Sequence, residues 1–320
     1  MSPDQPTPDF DLSLSPSPAL REGLAQIRWL RLAATHQALG DLKLKPFKGA
    51  LWRSVLGMCL KQVSPAAYSS LFEPVASNGR SDPTWCLTPP LIPDTCVPAG
   101  ALFDSAITLF GPAMVHAPAC VGALEAFERH GVGYDHDYVP LRLVSVRANT
   151  LAGAADWRSP DSVVNALDVF AAGAIETRSA AAHGVEVCFV SPLRLISDNQ
   201  DVTGPPPFEI LLRRTLGQII KLAPLNLPQR LFARGEHPAW IAASRQVGML
   251  ACAIGPEGDA AKFSGRQNAV YPLKGLVGAV RYAPSAVSAM PWLRIAEWVQ
   301  LGANTHHGFG VVAVRVHAGA

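Results

Sequence analysis

Histidine and lysine side chains give this sequence its clearest capacity for chemistry. His306 and His307 are adjacent in the segment QLGANTHHGFGVVAV, and His36 precedes a lysine-bearing stretch that contains Lys48. Histidine exchanges protons near neutral pH, so it can act as a general acid or base, and lysine can offset negative charge on a phosphate. We therefore take His36, His307 and Lys48 as the candidate catalytic residues.

Cleavage of RNA without a metal needs three such groups. A base takes the proton of the ribose 2′-OH, an acid protonates the leaving 5′ oxygen, and positive charge stabilises the phosphate between them. His36 is the first candidate because it precedes Lys48 and Arg53 and is expected on the connection between the first strand and the first helix. His307 is the second, since it lies in a loop that could hold phosphate, whereas its neighbour His306 would point elsewhere on an extended backbone.

Three glycines, Gly302, Gly308 and Gly310, flank the histidine pair just before the last apolar run. Glycine tolerates positive φ and lets another backbone come close, so such a loop can turn its amide groups toward an anion such as an RNA phosphate. Ordinary turn geometry is the commoner explanation of a glycine-rich turn before a strand. Both alternatives stay open on spacing alone.

No cofactor and no metal are expected. The six cysteines are scattered, with no Cys-x-x-Cys pair and no histidine at zinc-finger spacing, so neither a structural metal nor a disulfide framework is indicated. The carboxylates and histidines also lack the spacing of a two-metal nuclease.

Composition sets wide limits on function. The chain has 320 residues, is 49% hydrophobic and carries a formal net charge of +2, which neither requires nor excludes a nucleic-acid partner. No apolar run reaches the length of a membrane span and the first residues lack the order of a signal peptide, so a cytoplasmic location is expected. Basic side chains cluster locally, and each cluster could bind phosphates or form a solvated helix face. The clustered residues are Lys43, Lys45, Lys48, Arg53, Arg213, Arg214 and Lys221.

Hydrophobic periodicity predicts the order β-α-β-β-α-β twice. The first strand is expected at residues 24–34, and an amphipathic helix begins after Pro46. This order is that of the ferredoxin-like plan, which RNA-recognition modules also use. The expected fold class is α+β, with two tandem ferredoxin-like (RRM-like) domains and a C-terminal glycine-rich loop. The expected divisions are a disordered tail at 1–19, an N-terminal ferredoxin-like domain at 20–150, a connection at 151–183 and a C-terminal ferredoxin-like domain with the glycine-rich loop at 184–320.

Four segments carry a resemblance to a known family. FSGRQ at 263–267 and LKGLVG at 273–278 precede a helical segment, and GANTHHGFG at 302–310 follows it. Together they resemble the CRISPR-associated endoribonucleases that cut precursor CRISPR RNA, within the repeat-associated mysterious protein (RAMP) superfamily. GALWRSVLG at 49–57 is similar to the first helix of that family. The resemblance covers about residues 24–317.

The resemblance implies a metal-independent endoribonuclease that leaves a 2′,3′-cyclic phosphate and a 5′-hydroxyl. Its partners would be CRISPR repeat RNA or precursor CRISPR RNA, with other Cas proteins of an effector complex as further candidates. Relatives often place the catalytic histidine after the first helix, where this chain has SPAAYSSLFEP, with Tyr68 and no histidine. The expected RNA-binding residues are Arg53, Arg213, Arg266, Lys274, Gly302, Asn304, Thr305, His306, Gly308 and Gly310.

Two other functions fit the same sequence. A RAMP subunit could hold a mature guide RNA in an effector complex without cutting it. A small-molecule enzyme on a ferredoxin-like fold could use the glycine-rich loop as a phosphate site. Binding of repeat RNA separates the first two functions from the third, and product formation separates the endoribonuclease from the non-catalytic subunit.

Overall fold

The computed structural model describes residues 17–73, 84–134, 136–179, 182–223, 231–232, 236–264 and 269–318. Within these ranges the chain forms two β-α-β-β-α-β units, one after the other. Among the helices described, none is long and apolar enough to cross a membrane.

The N-terminal unit builds an antiparallel sheet with helices on one face. Its strand order is β3-β5-β1-β8-β9, with β10 also paired to β1, and the helices α2 and α4 cover the apolar face. The helices in this half of the chain, of which α1 and α6 pack on the second unit, are α1 (Pro18–Gln26), α2 (Gly49–Val63), α3 (Pro65–Phe72), α4 (Ala117–Glu125), α5 (Phe127–His130) and α6 (Ala166–Ser179). The strands are β1 (Arg28–Ala38), β2 (Leu42–Lys43), β3 (Trp85–Thr88), β4 (Cys96–Val97), β5 (Leu102–Phe110), β6 (Val132–Tyr134), β7 (Asp137–Val139), β8 (Leu141–Thr150), β9 (Gly153–Ala155) and β10 (Val164–Asn165).

The C-terminal unit repeats this topology, with strand order β14-β15-β11-β16. In each unit the second strand lies at the edge and the first lies between the third and the fourth, which is the ferredoxin-like arrangement. The predicted fold class is therefore confirmed. The helices are α7 (Phe208–Leu222), α8 (Glu236–Ser244) and α9 (Met290–Val299), and the strands are β11 (Ala182–Leu193), β12 (Ile196–Ser197), β13 (Gln200–Asp201), β14 (Met249–Ser264), β15 (Ala269–Tyr282) and β16 (Val312–Ala318).

The first strand differs from the expected one. Residues 24–26 belong to α1, and the strand begins at Arg28 and runs on to Ala38. Alternate residues of β1 are buried against the helices, because side chains of a strand point to opposite faces in turn. Leu32, Ala34 and His36 share that buried face. The expectation that His36 lies on a connection is therefore wrong.

The segment expected to be a connection, 151–183, carries regular structure of both units. Strand β9 extends the first sheet, while α6 packs on α9 of the second unit, where the rings of Phe170 and Trp292 lie 4.8 Å apart. Leu20 and Leu24 of α1 belong to the same apolar core. Most of the expected disordered tail, residues 1–16, lies outside the described residues.

The two units are joined by hydrogen bonds at the end of α9. Arg31 on β1 donates from Nη2 to the main-chain oxygens of Glu297 (2.8 Å) and Trp298 (2.6 Å). Gln300, fully buried just after α9, donates from Nε2 to Leu87 O on β3 at 2.9 Å. The carbonyls at a helix C-terminus have no partners within the helix, and Arg31 satisfies two of them. This junction fixes where the glycine-rich loop begins.

Candidate functional site

The glycine-rich loop, residues 301–311, is held in place by the C-terminal unit. Gly302, Gly308 and Gly310 have φ values of 78°, 83° and 76°, which L side chains rarely adopt. A Cβ at Gly310 would overlap the carbonyl of Leu301, and one at Gly302 would overlap the carbonyl of Arg194. The positive φ at all three positions, together with the close carbonyls at Gly302 and Gly310, therefore requires glycine.

The main-chain amides of the loop are largely used within the protein. The amide of Gly310 donates to Pro192 O and that of Gly308 to Thr305 O, both at 2.9 Å. Further amide donors to protein acceptors are Leu301, Ala303, His307, Phe309 and Val311. The expectation that Gly308 and Gly310 turn their amides toward a phosphate is therefore wrong, because these amides are already hydrogen-bonded inside the fold.

The loop also lies against the N-terminal unit. The carbonyl of His307 contacts Gly49 at the start of α2, where a Cβ would overlap it. Gly308 faces Pro89, and the rings of Phe309 and Phe47 meet edge to face at 5.0 Å. The loop therefore connects the two units at the first turn of α2.

His36 is completely enclosed, with 0% of its surface exposed. Its ring stacks on Phe127 at 5.4 Å and lies 6.3 Å from that of Phe103. Burial lowers the pKa of His36 to about 4, because the charged form loses its water. A side chain in this position cannot reach a bound RNA, so the structure gives His36 a role in the core.

Lys48 is also buried, at 2% exposure, and its Nζ donates to Pro46 O at 2.8 Å and to Ile92 O at 2.6 Å. These bonds fix the entry to α2 and leave Lys48 without access to an RNA. His307 is 3% exposed and lies with its ring 4.4 Å from that of His306. Of the histidine pair, His306 is the partly exposed one, which reverses the expectation from an extended backbone.

The other expected RNA contacts lie in four different places. Thr305 is buried, while Asn304, with φ 64°, and Gly302 are partly exposed. Lys274 is exposed on β15, next to Gly275, which packs on Pro192 below the loop. Arg213 lies on α7 and pairs with Glu209, which also binds Arg245. Arg266 lies outside the described residues.

A continuous set of rings runs from the loop across α3, and we call it the ring surface. The ring of His306 lies 6.5 Å from that of Trp85 on β3, and Trp85 lies 4.9 Å from Phe72 at the end of α3. Phe72 stacks on Tyr68, one helical turn earlier, at 5.2 Å. Trp85 is buried, whereas His306, Phe72 and Tyr68 are partly exposed, so these three form its outer part.

Two cations lie over these rings. The guanidinium of Arg53 on α2 is 4.8 Å from the ring centre of Phe72, and Lys61 Nζ is 5.4 Å from that of Tyr68. Burial lowers the pKa of Arg53, with the neighbouring Tyr68 acting in the opposite direction. The buried Nε of Arg53 has no hydrogen-bond acceptor among the residues that the structure describes. The ring surface thus combines a histidine, a phenol and two cations.

The local sequence sets this geometry. Ser64 ends α2 and caps α3, since its side chain accepts a hydrogen bond from the amide of Ala67 at 3.2 Å, and Pro65 fits the first position of a helix. The resulting corner brings α3 back along α2. Tyr68 and Phe72, four residues apart on one helix face, are the sequence signal for this surface that spacing could have revealed.

Within the described part of the chain, no three or more His, Cys, Asp or Glu side chains are grouped so that they could hold a metal ion. What the ring surface offers is a proton-exchanging imidazole and a phenol beside positive charge. That combination suits general acid-base chemistry at a phosphate, and exposed rings suit the stacking of unpaired bases.

Comparisons with known proteins agree with this architecture. Residues 187–312 match the family model of the CRISPR-associated endoribonuclease Cas6, and residues 27–168 match a model described as an N-terminal domain. No curated protein matches the sequence. The fold is similar to that of Thermus thermophilus Cas6, with a TM-score of 0.57 at 14% identity, over 90% of this chain and 99% of that one.

Two further solved structures share the fold. A second Cas6, solved as a product complex, aligns with a TM-score of 0.52 at 16% identity, over 90% of this chain and 100% of that chain. A chain of a Cas6-RT-Cas1–Cas2 complex aligns with a TM-score of 0.63 at 9% identity, over 92% of this chain and 48% of that chain.

Proposed function

We propose that this chain, whose residues 187–312 match the family model of the CRISPR-associated endoribonuclease Cas6, binds CRISPR repeat RNA and cuts precursor CRISPR RNA into guide units. The observation that supports this most strongly is the contact between the glycine-rich loop and the ring surface. It places His306 beside a surface with Tyr68, Arg53 and Lys61. One RNA strand laid across this junction would touch both domains.

The proposed reaction is metal-independent. The ribose 2′ oxygen attacks the adjacent phosphorus while its proton passes to a base, and the bond from phosphorus to the 5′ oxygen breaks as that oxygen gains a proton. The products are a 2′,3′-cyclic phosphate and a 5′-hydroxyl. His306 exchanges one of these protons, because it is the histidine of the loop that is partly exposed. Arg53 and Lys61 stabilise the charge that develops on the phosphate.

Tyr68 occupies the segment in which relatives often carry a histidine. In this site its phenol is the second group that could hold a proton, and its ring offers a base a surface to stack on. His307 positions the loop, since its carbonyl contacts Gly49 and its ring packs beside that of His306. In this proposal the former catalytic candidates His36 and Lys48 act only through the stability of the N-terminal unit.

The test uses the full chain and the repeat RNA of its own CRISPR locus under single-turnover conditions. We expect cleavage to persist in excess EDTA and to stop when the nucleotide before the cut carries a 2′-deoxyribose. Loss of cleavage in EDTA and its recovery with magnesium would contradict the metal-independent reaction. Cleavage of the 2′-deoxy RNA would contradict the attack by the 2′ oxygen.

A non-catalytic subunit that holds guide RNA is the second candidate. The observation in its favour is that SPAAYSSLFEP carries Tyr68 and no histidine. Tight binding of the repeat RNA without any product, in the same assay, would establish this alternative. We propose other Cas proteins as further partners, because one chain with this fold was solved in a Cas6-RT-Cas1–Cas2 complex.

A further inference from the structure

We propose that the open face of the N-terminal sheet binds one unpaired guanine nucleotide of the repeat RNA. We call this site the sheet basin, and its central residues are Ala33, Asp104, Ala106, Arg147 and Asn149. The inference rests on the proposed function, because its ligand is part of the same RNA.

The sheet basin is a depression of about 650 Å³ on the side of the sheet opposite the helices. Strand register places its side chains on one face, because directly opposed residues of neighbouring strands point to the same side. Ala33 on β1 is opposite Ala106 on β5 and Arg147 on β8. Two residues along β1, Thr35 is opposite Asp104. The volume lies within the range of small-ligand sites, about 300–1,000 Å³.

Small side chains form the floor of the sheet basin. Ala33 and Ala106 are directly opposed, so their methyl groups lie about 5 Å apart and present a flat apolar surface. Asp104 and Arg147 stand beside this floor, since the side chains of a sheet are roughly perpendicular to it. A planar ring that lies on the two methyl groups would therefore meet the carboxylate and the guanidinium with its edges.

The charges of Asp104 and Arg147 are available to a ligand. Both side chains are exposed, and strand spacing places their Cα atoms about 12 Å apart. Among the residues that the structure describes, neither makes an ion pair. Thr35 Oγ1 donates to Asp104 Oδ1 at 2.7 Å, which orients the carboxylate and leaves lone pairs on both of its oxygens. The nearby Arg31 is already used, because it donates to the end of α9.

These groups select a guanine nucleotide as the ligand. The N1–H and N2–H groups of guanine are adjacent donors that match the two oxygens of the Asp104 carboxylate. Adenine, cytosine and uracil each place acceptors beside the donor on the same edge, and an acceptor facing a carboxylate is repelled. Pairing in a duplex uses this edge, so the guanine must lie in a single-stranded part of the repeat. Its phosphate would pair with Arg147.

Thr88 and Pro89, at the end of β3, separate the sheet basin from the glycine-rich loop. Both residues line the basin. Pro89 also packs against Gly308, where a Cβ would lie 2.7 Å from Pro89 Cδ, and Thr88 Oγ1 accepts a hydrogen bond from Gln300 Nε2 at 3.1 Å. An RNA strand that passes the loop at Pro89 therefore places one nucleotide in the basin while its scissile phosphate lies beside His306.

The experiment replaces each guanine of the repeat RNA in turn by inosine, which lacks only the N2 amino group. Kd is measured by fluorescence anisotropy on RNA with a 2′-deoxyribose before the cut. The proteins are the wild type, Asp104→Ala and the control Asp161→Ala, an exposed aspartate that does not line the basin. We expect inosine at one position to weaken binding about tenfold for the wild type and the control, whereas Asp104→Ala should bind both RNAs equally.

Arg147→Ala tests the phosphate contact. It should lower the slope of log K against log salt by about 0.7, the value for one phosphate of a single strand. An unchanged slope would contradict the role of Arg147. Thermal unfolding shows whether each variant keeps the fold, and Asp104→Asn, which turns one carboxylate oxygen into a donor, replaces Asp104→Ala if the alanine variant unfolds.

Inosine in a paired stem weakens pairing in every variant alike, so only a loss that disappears in Asp104→Ala supports the inference. Wild-type tolerance of inosine at every guanine overturns it, as does an equal loss in Asp104→Ala. Micromolar binding of free guanosine monophosphate without an inosine effect would make the ligand a free nucleotide and also overturns it. The proposed function survives these results, because the wild type would still bind the repeat RNA. A wild-type chain that binds no repeat RNA contradicts both.

Discussion

The main-chain carbonyl of His307 lies against the Cα of Gly49, with no side chain between the glycine-rich loop and the first turn of α2. The C-terminal domain thereby places the histidine pair next to the helix that carries Arg53. Since Gly49 lies in a right-handed helix, its φ does not require glycine, and close approach of the carbonyl is the reason that any Cβ is excluded.

Gly49→Ala should therefore separate the loop from α2. We expect the variant to fold and to cleave repeat RNA about tenfold more slowly in a single-turnover assay, because a displaced catalytic group loses rate steeply. Gly217→Ala is the matched control, since that helical glycine has open space around it. A rate for Gly49→Ala equal to that of the control would show that the contact does not position the site.

Gly310→Ala should act on stability. Its φ of 76° and its overlap with the Leu301 carbonyl predict a loss of about 2 kcal/mol or more in the free energy of unfolding. Gly100→Ala separates the effect of positive φ from the effect of the overlap with a carbonyl. Gly100 has φ 84° and open space around it, so only about 1 kcal/mol should be lost there. Urea denaturation measures both values, and equal losses would mean that the carbonyl contact contributes nothing.

The fold could be predicted from periodicity because each unit alternates clear strand and amphipathic helix patterns. The burial of His36 could also be predicted from the sequence, since the alternation of Leu32, Ala34 and His36 continues one strand face. A strand predicted to end at residue 34 leaves His36 outside that face. The burial of Lys48 could not be predicted, because its acceptors include Ile92 O, a contact set by a loop with no regular pattern.

His36 should make the stability of the protein sensitive to acid. Its folded pKa of about 4 lies below the ordinary value of 6.5, so the unfolded chain takes up the proton first as the pH falls. The resulting loss in the free energy of unfolding begins near pH 6.5, reaches about 3 kcal/mol and ends near pH 4. We expect His36→Leu to lack this loss when unfolding is measured at pH 7 and at pH 4.5.

The same variant tests the former catalytic assignment. Near neutral pH, folded His36→Leu should cut repeat RNA within threefold of the wild-type rate. An identical pH dependence of stability in both proteins would contradict the buried, neutral histidine. Loss of cleavage in a folded variant would return His36 to the reaction.

Arg53 and Arg213 were both expected to bind RNA, and the structure separates them. Arg53 lies over Phe72 with a buried Nε that lacks a described acceptor, whereas Arg213 is paired with Glu209 on α7. We expect Arg53→Ala to weaken repeat binding about tenfold, equivalent to about 1.4 kcal/mol, and Arg213→Ala to change it less than twofold. Filter binding at fixed salt measures both affinities. A larger effect at Arg213 would place the RNA on α7 and not on the ring surface.

Only part of the ring surface could be predicted from the sequence, namely the spacing of Tyr68 and Phe72 on one helix face. Trp85 and His306 are far apart in the chain and meet only because Gln300 and the loop fix the two domains together. The position of Tyr68 after α2 makes it a candidate, but no local pattern shows that Arg53 lies over Phe72. Contacts between domains depend on the final packing of both, which local patterns do not encode.

We propose that RNA is cut where the glycine-rich loop meets the ring surface, with His306 exchanging a proton. The direct measurement is the single-turnover cleavage rate of repeat RNA in EDTA for the wild type, His306→Ala and His183→Ala, an exposed histidine at the opposite end of β11 from the loop. We predict a loss of about a hundredfold or more for His306→Ala, with RNA affinity changed less than threefold, and a wild-type rate for His183→Ala. A wild-type rate for folded His306→Ala would show that His306 does not exchange a proton in the reaction.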